Sequence, residues 1–414
     1  MKDKTPLSGE RESFVTLDQS LQANPKLLHQ PVTVPPAITN TSWAQAGGNP
    51  SHSMPPLTLP GKLEKAWRVG IGSGSYDGLR LLSNIVVDHG VAYGMDSTGV
   101  ISAVDTQKGE VIWKQETKPE DSNSDALGGG VVFGGGVLYA STSFGEVISL
   151  DPKTGKVLWQ TKIACPIRVA PTVKDGRVFV VTINNETYAL DAKTGSHLWM
   201  HAGITEQAAL LGGANPAVVD HMVIVAYSSG EIYALQVENG HVLWTDTLTS
   251  ALRIDTVSSI PHIKARPVVD GGQVFTISHG GRMTAIDIKT GARQWQVEIG
   301  GVRTPAVAGN WLFVLTSQGD VVCLDRHTGE IRWASASLPK LAESDKTAIS
   351  WAGPVVVNAD LAFSGSNGEV MFLNSADGKV TKTLTFEGAG LFSPIVVDKT
   401  LYILTDQADL HAWK

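Results

Sequence analysis

The chain has 414 residues, of which 42% are hydrophobic and only 18% charged, with 43 Gly and 11 Trp. This composition suits many short strands joined by tight turns, and the length is ample for a substantial core. The 33 basic and 40 acidic residues leave a net charge of −7, which offers no basic field to nucleic acid or anionic lipid. No run of about 18 apolar residues is present to form a spanning helix.

Residues 1–60 come first and stand apart. Met1-Lys2-Asp3-Lys4-Thr5-Pro6 has no apolar stretch behind its charges and does not read as an export signal. The segment is rich in Pro (Pro25, Pro31, Pro35, Pro36, Pro50, Pro55, Pro56, Pro60) and keeps no sustained period. It therefore reads as a tether followed by an extended stretch lying on the domain formed by residues 61–414, anchored by Trp43 and the Gly47-Gly48-Asn49 turn.

From there one pattern recurs: alternating apolar residues, an Asp, a turn ending in Gly, and a Trp four residues after that Gly. Copies occupy 100–113 (VISAVDTQKGEVIW), 147–159, 187–199, 232–244, 283–295 and 321–333, and a seventh at 370–382 has Lys382 where Trp is expected. Period-2 alternation marks two strands per copy, and the Thr-Gly or Asn-Gly between them supplies the positive φ of a tight hairpin. Successive copies lie between 38 residues (Trp295 to Trp333) and 51 residues (Trp244 to Trp295) apart, the period of one four-stranded propeller blade. The C-terminal Asp409-Leu410-His411-Ala412-Trp413-Lys414 is a third strand with no fourth after it. Leu63-Glu64-Lys65-Ala66-Trp67 is a fourth strand with no hairpin before it. Pairing them gives an all-β, eight-bladed propeller of four-stranded antiparallel blades, closed by its two ends without a free edge in the ring. Trp67, Trp113, Trp159, Trp199, Trp244, Trp295 and Trp333 read as rings that dock each blade on its neighbour, with ligand cages much the weaker alternative.

Little in the chain points to chemistry. Asp105, Asp151, Asp191, Asp287 and Asp325 fall at hairpin turns, where Asp accepts from nearby backbone N–H groups, so they do not converge on an ion. His52, His221, His262, His279 and His411 have no metal-ligand spacing, so no metal site and no catalytic residue is expected. Gly128–Gly130 and Gly134–Gly136 read as turns flanking a short strand rather than a phosphate cradle. Cys165 and Cys323 lie in different repeats and read as unpaired buried thiols.

Surface loops remain. Two long connections, 205–215 and 249–266, follow consecutive outer strands and emerge side by side on one face. Leu210, Leu211, Leu252, Ile254 and Ile263 beside Arg253, Lys264 and Arg266 suit a protein-binding patch. The competing reading is that these apolar residues plug the mouth of the central channel.

The repeat A-x-D-x-x-T-G-x-x-x-W resembles the PQQ-like propeller repeat over nearly all of residues 61–414. Residues 6–11 (PLSGER), 43–52 (WAQAGGNPSH), 266–270 (RPVVD) and 274–279 (VFTISH) are similar to the BamB family in its alphaproteobacterial form. The resemblance implies a monomeric, non-catalytic scaffold without cofactor, lipid-anchored at the periplasmic face of the outer membrane. Its partners would be BamA periplasmic domains and unfolded outer-membrane protein clients. A family Leu-Arg-Gly element falls on Leu210-Leu211-Gly212 and an acidic loop on His262-Ile263-Lys264, so the charged features differ from the family's. The family also starts with a signal ending in a lipidated Cys. Here residue 1 is Met and the first Cys is Cys165, and the expectation is that Met replaces that signal. The alternative is a PQQ-dependent dehydrogenase, which would need an axial carboxylate cluster for Ca²⁺, or a ligand-binding propeller.

Overall fold

The computed structural model describes residues 21–76, 78–119, 127–163, 165–206, 210–248, 262–342 and 347–414. Their strands form eight four-stranded antiparallel sheets. Blades 1 to 7 are consecutive quartets spanning 86–116, 129–162, 172–202, 217–247, 268–297, 306–335 and 351–385. Blade 8 joins the two ends of the ring. Ile395–Val397, Thr400–Leu404 and Asp409–Trp413 supply three strands, and Lys65–Gly70 supplies the outermost one. Arg68 lies opposite His411 in this seam, and its guanidinium pairs with the carboxylates of Asp409 and Glu387. Glu64 and Lys414 exchange backbone hydrogen bonds of 2.8 and 3.0 Å at its far end.

Burial explains the strand patterns. The two middle strands of each blade are covered on both faces by neighbouring blades, so Val137–Thr142 and Met222–Ala226 are buried along almost their whole length. Outermost strands such as Val157–Lys162 alternate between exposed and half-buried residues, because only one face meets the next blade. Innermost strands are three residues long in most blades, and Pro171, Pro216, Pro267, Pro305 and Pro394 stand immediately ahead of five of them, a position where no ladder donor is needed. The Gly clusters differ from the sequence reading. Gly129 and Gly130 are not a turn but the first residues of the innermost strand Gly129–Gly134. A Cβ on Gly129 would come 2.3 Å from the Ser141 carbonyl, and one on Gly130 would come 2.5 Å from the Ser83 hydroxyl. Cys165 and Cys323 are buried free thiols.

Each repeat Trp reaches into the blade that follows. The Nε1–H of Trp67, Trp113, Trp159, Trp199, Trp244, Trp295 and Trp333 donates to the carbonyl of Thr106, Pro152, Ala192, Val237, Ile288, Arg326 and Ser375 respectively, at 2.7–3.1 Å. Every acceptor is the residue after the repeat Asp, or its counterpart, in the next blade. The same ring lies on that blade's turn glycine: an added Cβ on Gly155 or Gly329 would come 2.6 or 2.7 Å from Trp113 or Trp295 Cε3. The turn glycine therefore answers two demands, a φ of about 72° and a closely packed indole. Lys382 departs from the pattern because blade 8 has no continuous hairpin for a Trp to cap. Its Nζ instead donates to the Gly61 carbonyl at 3.0 Å, at the entrance to the closing strand.

Candidate functional site

The innermost strands of a propeller face its axis with one edge unpaired, and buried N–H and C=O groups there need partners. Residues 40–57 supply them. Trp43 exchanges backbone hydrogen bonds of 2.7 and 2.9 Å with Val87, and Ala44 accepts from Phe133 at 2.8 Å. The Gln45 amide accepts from the Val173 N–H at 2.9 Å and donates to the Val173 carbonyl at 2.7 Å. Pro50 accepts from Val218, Ser51 accepts from Val269, Leu57 donates to Val356 and Asn40 accepts from Asp398, at 2.8–3.0 Å. Blades 1, 2, 3, 4, 5, 7 and 8 are thereby tied to one strand of chain. Pro35 covers Gly309 of blade 6. His52 is buried in this layer, its Nδ1 2.8 Å from the Pro267 carbonyl. The N-terminal segment thus does not merely lie on the propeller but runs round its axis from blade to blade along the innermost strands.

Against this layer the described residues form a cup of about 360 Å³. Trp43 and Gly47 lie at its floor, and the residues just ahead of the innermost strands form its wall, among them Leu211, Gly212, Lys264, Arg266 and Arg303. Arg303 is held in place by hydrogen bonds to the Leu391 carbonyl and the Ser350 hydroxyl, both at 3.2 Å.

The two predicted loops are divided between surface, wall and core. Leu210 is half-buried at the rim, and its N–H donates to Nδ1 of His262 at 2.8 Å. Leu211 and Gly212 line the cup, with Lys264 packed so closely that a Cβ on Gly212 would meet its Cε at 3.2 Å. Two expectations need correction. Ile263 is fully buried among Ala214, Ile224 and Leu248, because residues 262–266 turn back into the ring before the innermost strand of blade 5. It contributes to the core and presents nothing to a partner. His262 is also buried and acts inward, holding the Leu210 loop. Burial, followed by the charge of Lys264 and then His279, pushes its imidazole down to about 4. Lys264 and Arg266 face the axis rather than an outer patch. Leu252, Arg253 and Ile254 lie outside the described residues. Sequence reading missed Arg80 and Arg303 as cup residues, although both stand within a few residues of an innermost strand, as Arg266 does.

The cup does not fit a quinone–Ca²⁺ centre. Ca²⁺ requires six to eight oxygen ligands, several of them carboxylates. The described lining has no Asp or Glu but four cations, Arg80, Lys264, Arg266 and Arg303. No group of three or more His, Cys, Asp or Glu that could hold a metal occurs among the described residues.

A closed eight-bladed ring with repeat-docking tryptophans and a cation-lined cup defines a propeller of the PQQ-repeat class. Residues 97–335, more than half of the chain, match the family model described as outer membrane protein assembly factor BamB. The chain belongs to the BamB family. It is 26% identical over 355 residues to the outer membrane protein assembly factor BamB of Yersinia pestis, covering 84% of this chain and 88% of that one. Its fold matches the crystal structure of BamB from Moraxella catarrhalis with a TM-score of 0.73 at 21% identity, over 85% of this chain and all of the other. A quinohemoprotein alcohol dehydrogenase from Pseudomonas putida HK5 shares the fold, with a TM-score of 0.67 at 13% identity over 92% of this chain and 83% of its own.

Proposed function

We propose that the protein is a non-catalytic scaffold of outer-membrane protein assembly, working at the periplasmic face of the outer membrane. In this reading it docks BamA periplasmic domains through the open face of the ring. The family match over residues 97–335 carries the assembly role. The docking face is supported by the rim loop at Leu210–Gly212. It is apolar, only half-buried, and braced from beneath by the His262 hydrogen bond, so a partner would meet a preformed surface. A pull-down of BamA periplasmic domains tests this reading. Leu210→Asp/Leu211→Asp should weaken capture about tenfold or more while leaving the circular dichroism spectrum unchanged, since central apolar contacts carry most interface energy. Capture that survives in the folded double variant would place docking elsewhere.

The blade rims support a second element of the same function. Outermost strands are unpaired on one edge and expose Ile112, Leu158, Leu198 and Leu243 beside the repeat Trp. Such an edge can accept an extended client segment by strand addition. A peptide copied from a β-barrel strand and carrying a photocrosslinker should label Glu110–Glu116, Val157–Lys162, His197–Ala202 or Val242–Thr247. Crosslinks confined to other strands or to the cup would reject this route.

A further inference from the structure

The cup carries a charge arrangement that docking and client handling do not use. Lys264, Arg266 and Arg303 stand together on its wall at the entrances of blades 5 and 6, and Arg80 stands at the entrance of blade 1. Among the described residues no ion pair reaches the Lys264 ammonium or the Arg266 guanidinium, and the Arg266 Nε is buried without a hydrogen-bond partner. Burial, followed by the charge of Arg303, holds both groups below their ordinary ranges, and burial alone does so for Arg303. Like charges partly removed from water and left unpaired are costly for a fold to keep. The cost is not a by-product of a basic protein, because the chain carries a net charge of −7. A concave, low-dielectric site lined by one sign of charge focuses its field on a counter-charge.

We propose that the cup is a binding site for a small multivalent oxyanion, a di- or tricarboxylate or a phosphomonoester. The arginines present planar forks suited to carboxylate or phosphate oxygens, and Lys264 adds a point charge from the same wall. Size selects a small ligand. The cavity of about 360 Å³ lies at the lower end of the roughly 300–1,000 Å³ of small-molecule sites. Trp43, Ala46 and Gly47 of the N-terminal segment bound it from behind. The same oxyanion chemistry could be offered by a free solute or by the phosphate of a lipid headgroup. The small volume, with Trp43 and Gly47 at the floor, favours the free solute.

Citrate and inorganic phosphate are suitable probes, titrated calorimetrically at constant ionic strength set with sodium chloride, beside vesicles containing phosphatidylglycerol. Wild-type protein should bind at least one of the two solutes saturably at one site, with a higher melting temperature in its presence. Arg266→Gln and Lys264→Gln/Arg303→Gln should each weaken binding about tenfold or more, whereas Lys108→Gln, in an outer turn, should not. The double variant should also melt no lower than wild type without ligand, because it removes a repulsion. A wild-type protein that binds neither solute, or binds them equally well after the double substitution, would overturn the proposal. So would binding to vesicles alone.

Discussion

Replacing Trp295 with Ala should lower the free energy of unfolding by about 3–5 kcal/mol, the cost of emptying a large aromatic site that cannot collapse. The ring is buried between blades 5 and 6, packs 6.1 Å from Phe275, and donates to the Arg326 carbonyl at 2.7 Å. Gly329→Ala attacks the same joint from the other side. Its φ of 72° is unfavourable for Ala, and the new methyl would lie 2.7 Å from Trp295 Cε3, so a loss of about 1–3 kcal/mol is expected. Much of that second loss comes from the indole. In the Trp295→Ala background Gly329→Ala should therefore cost at least about 1 kcal/mol less than in wild type, a coupling typical of residues in direct contact. Urea unfolding followed by circular dichroism measures all four corners of the cycle. Additive losses would show that the turn glycine serves only its backbone angle. Trp295→Phe should fall between, since Phe keeps most of the packing and the Arg326 carbonyl still accepts from the Gln273 amide at 3.3 Å.

The features that repeat were legible in the residues. Copies of one hairpin announce their period, and Trp67 in step with Trp113 reveals the closing strand at the other end of the chain. Lys382 is legible in retrospect: the missing Trp marks the one joint whose neighbour is made from two chain ends. The course of residues 40–57 was not legible, because it is fixed chiefly by main-chain hydrogen bonds to innermost strands, with Gln45 and His52 adding isolated side-chain contacts, and these leave no side-chain period. The 249–266 connection misled for a related reason. A long apolar-and-basic stretch looks the same whether it stays on the surface or turns inward, and the structure buries Ile263 while aiming Lys264 and Arg266 at the axis. A usable signal was present in the cations ahead of innermost strands, as in Arg266-Pro267 and Arg303-Thr304-Pro305. Comparing blade entrances, rather than hairpins, would have gathered those two arginines onto one wall.

Stability should fall steeply between about pH 6.5 and pH 4, because three buried histidines resist protonation. His52 is pushed down to about 3 by burial and then by the charge of Arg266, against the pull of the Pro267 carbonyl. His262 and His411 are pushed down to about 4, again mainly by burial. Lys264 and His279 add to the effect at His262. At His411, Lys65 and Arg68 outweigh Asp409 and Glu387. An unfolded histidine titrates near 6.5. Below that pH the unfolded chain takes up protons that the folded protein refuses, so the free energy of unfolding decreases as pH falls. At pH 5 each group accounts for about 2 kcal/mol. The carboxylates act lower on the scale. Asp105, Asp151, Asp191 and Asp287 are held below their usual range by hydrogen bonds from Lys108, Lys153, Thr194 and Thr290. Their contribution is present above 3.8 and lost only beneath it. His411 offers the cleanest test, since neither ring nitrogen has a partner among the described residues and the ring stacks on Trp413 at 5.6 Å. His411→Phe keeps a flat ring against Trp413 and removes the titration. It should match or exceed wild type at pH 5 while costing little at pH 7.5, as read from urea midpoints at the two values. A variant whose midpoint drops between those pH values as far as wild type's would show that His411 is not among the groups that charge on unfolding.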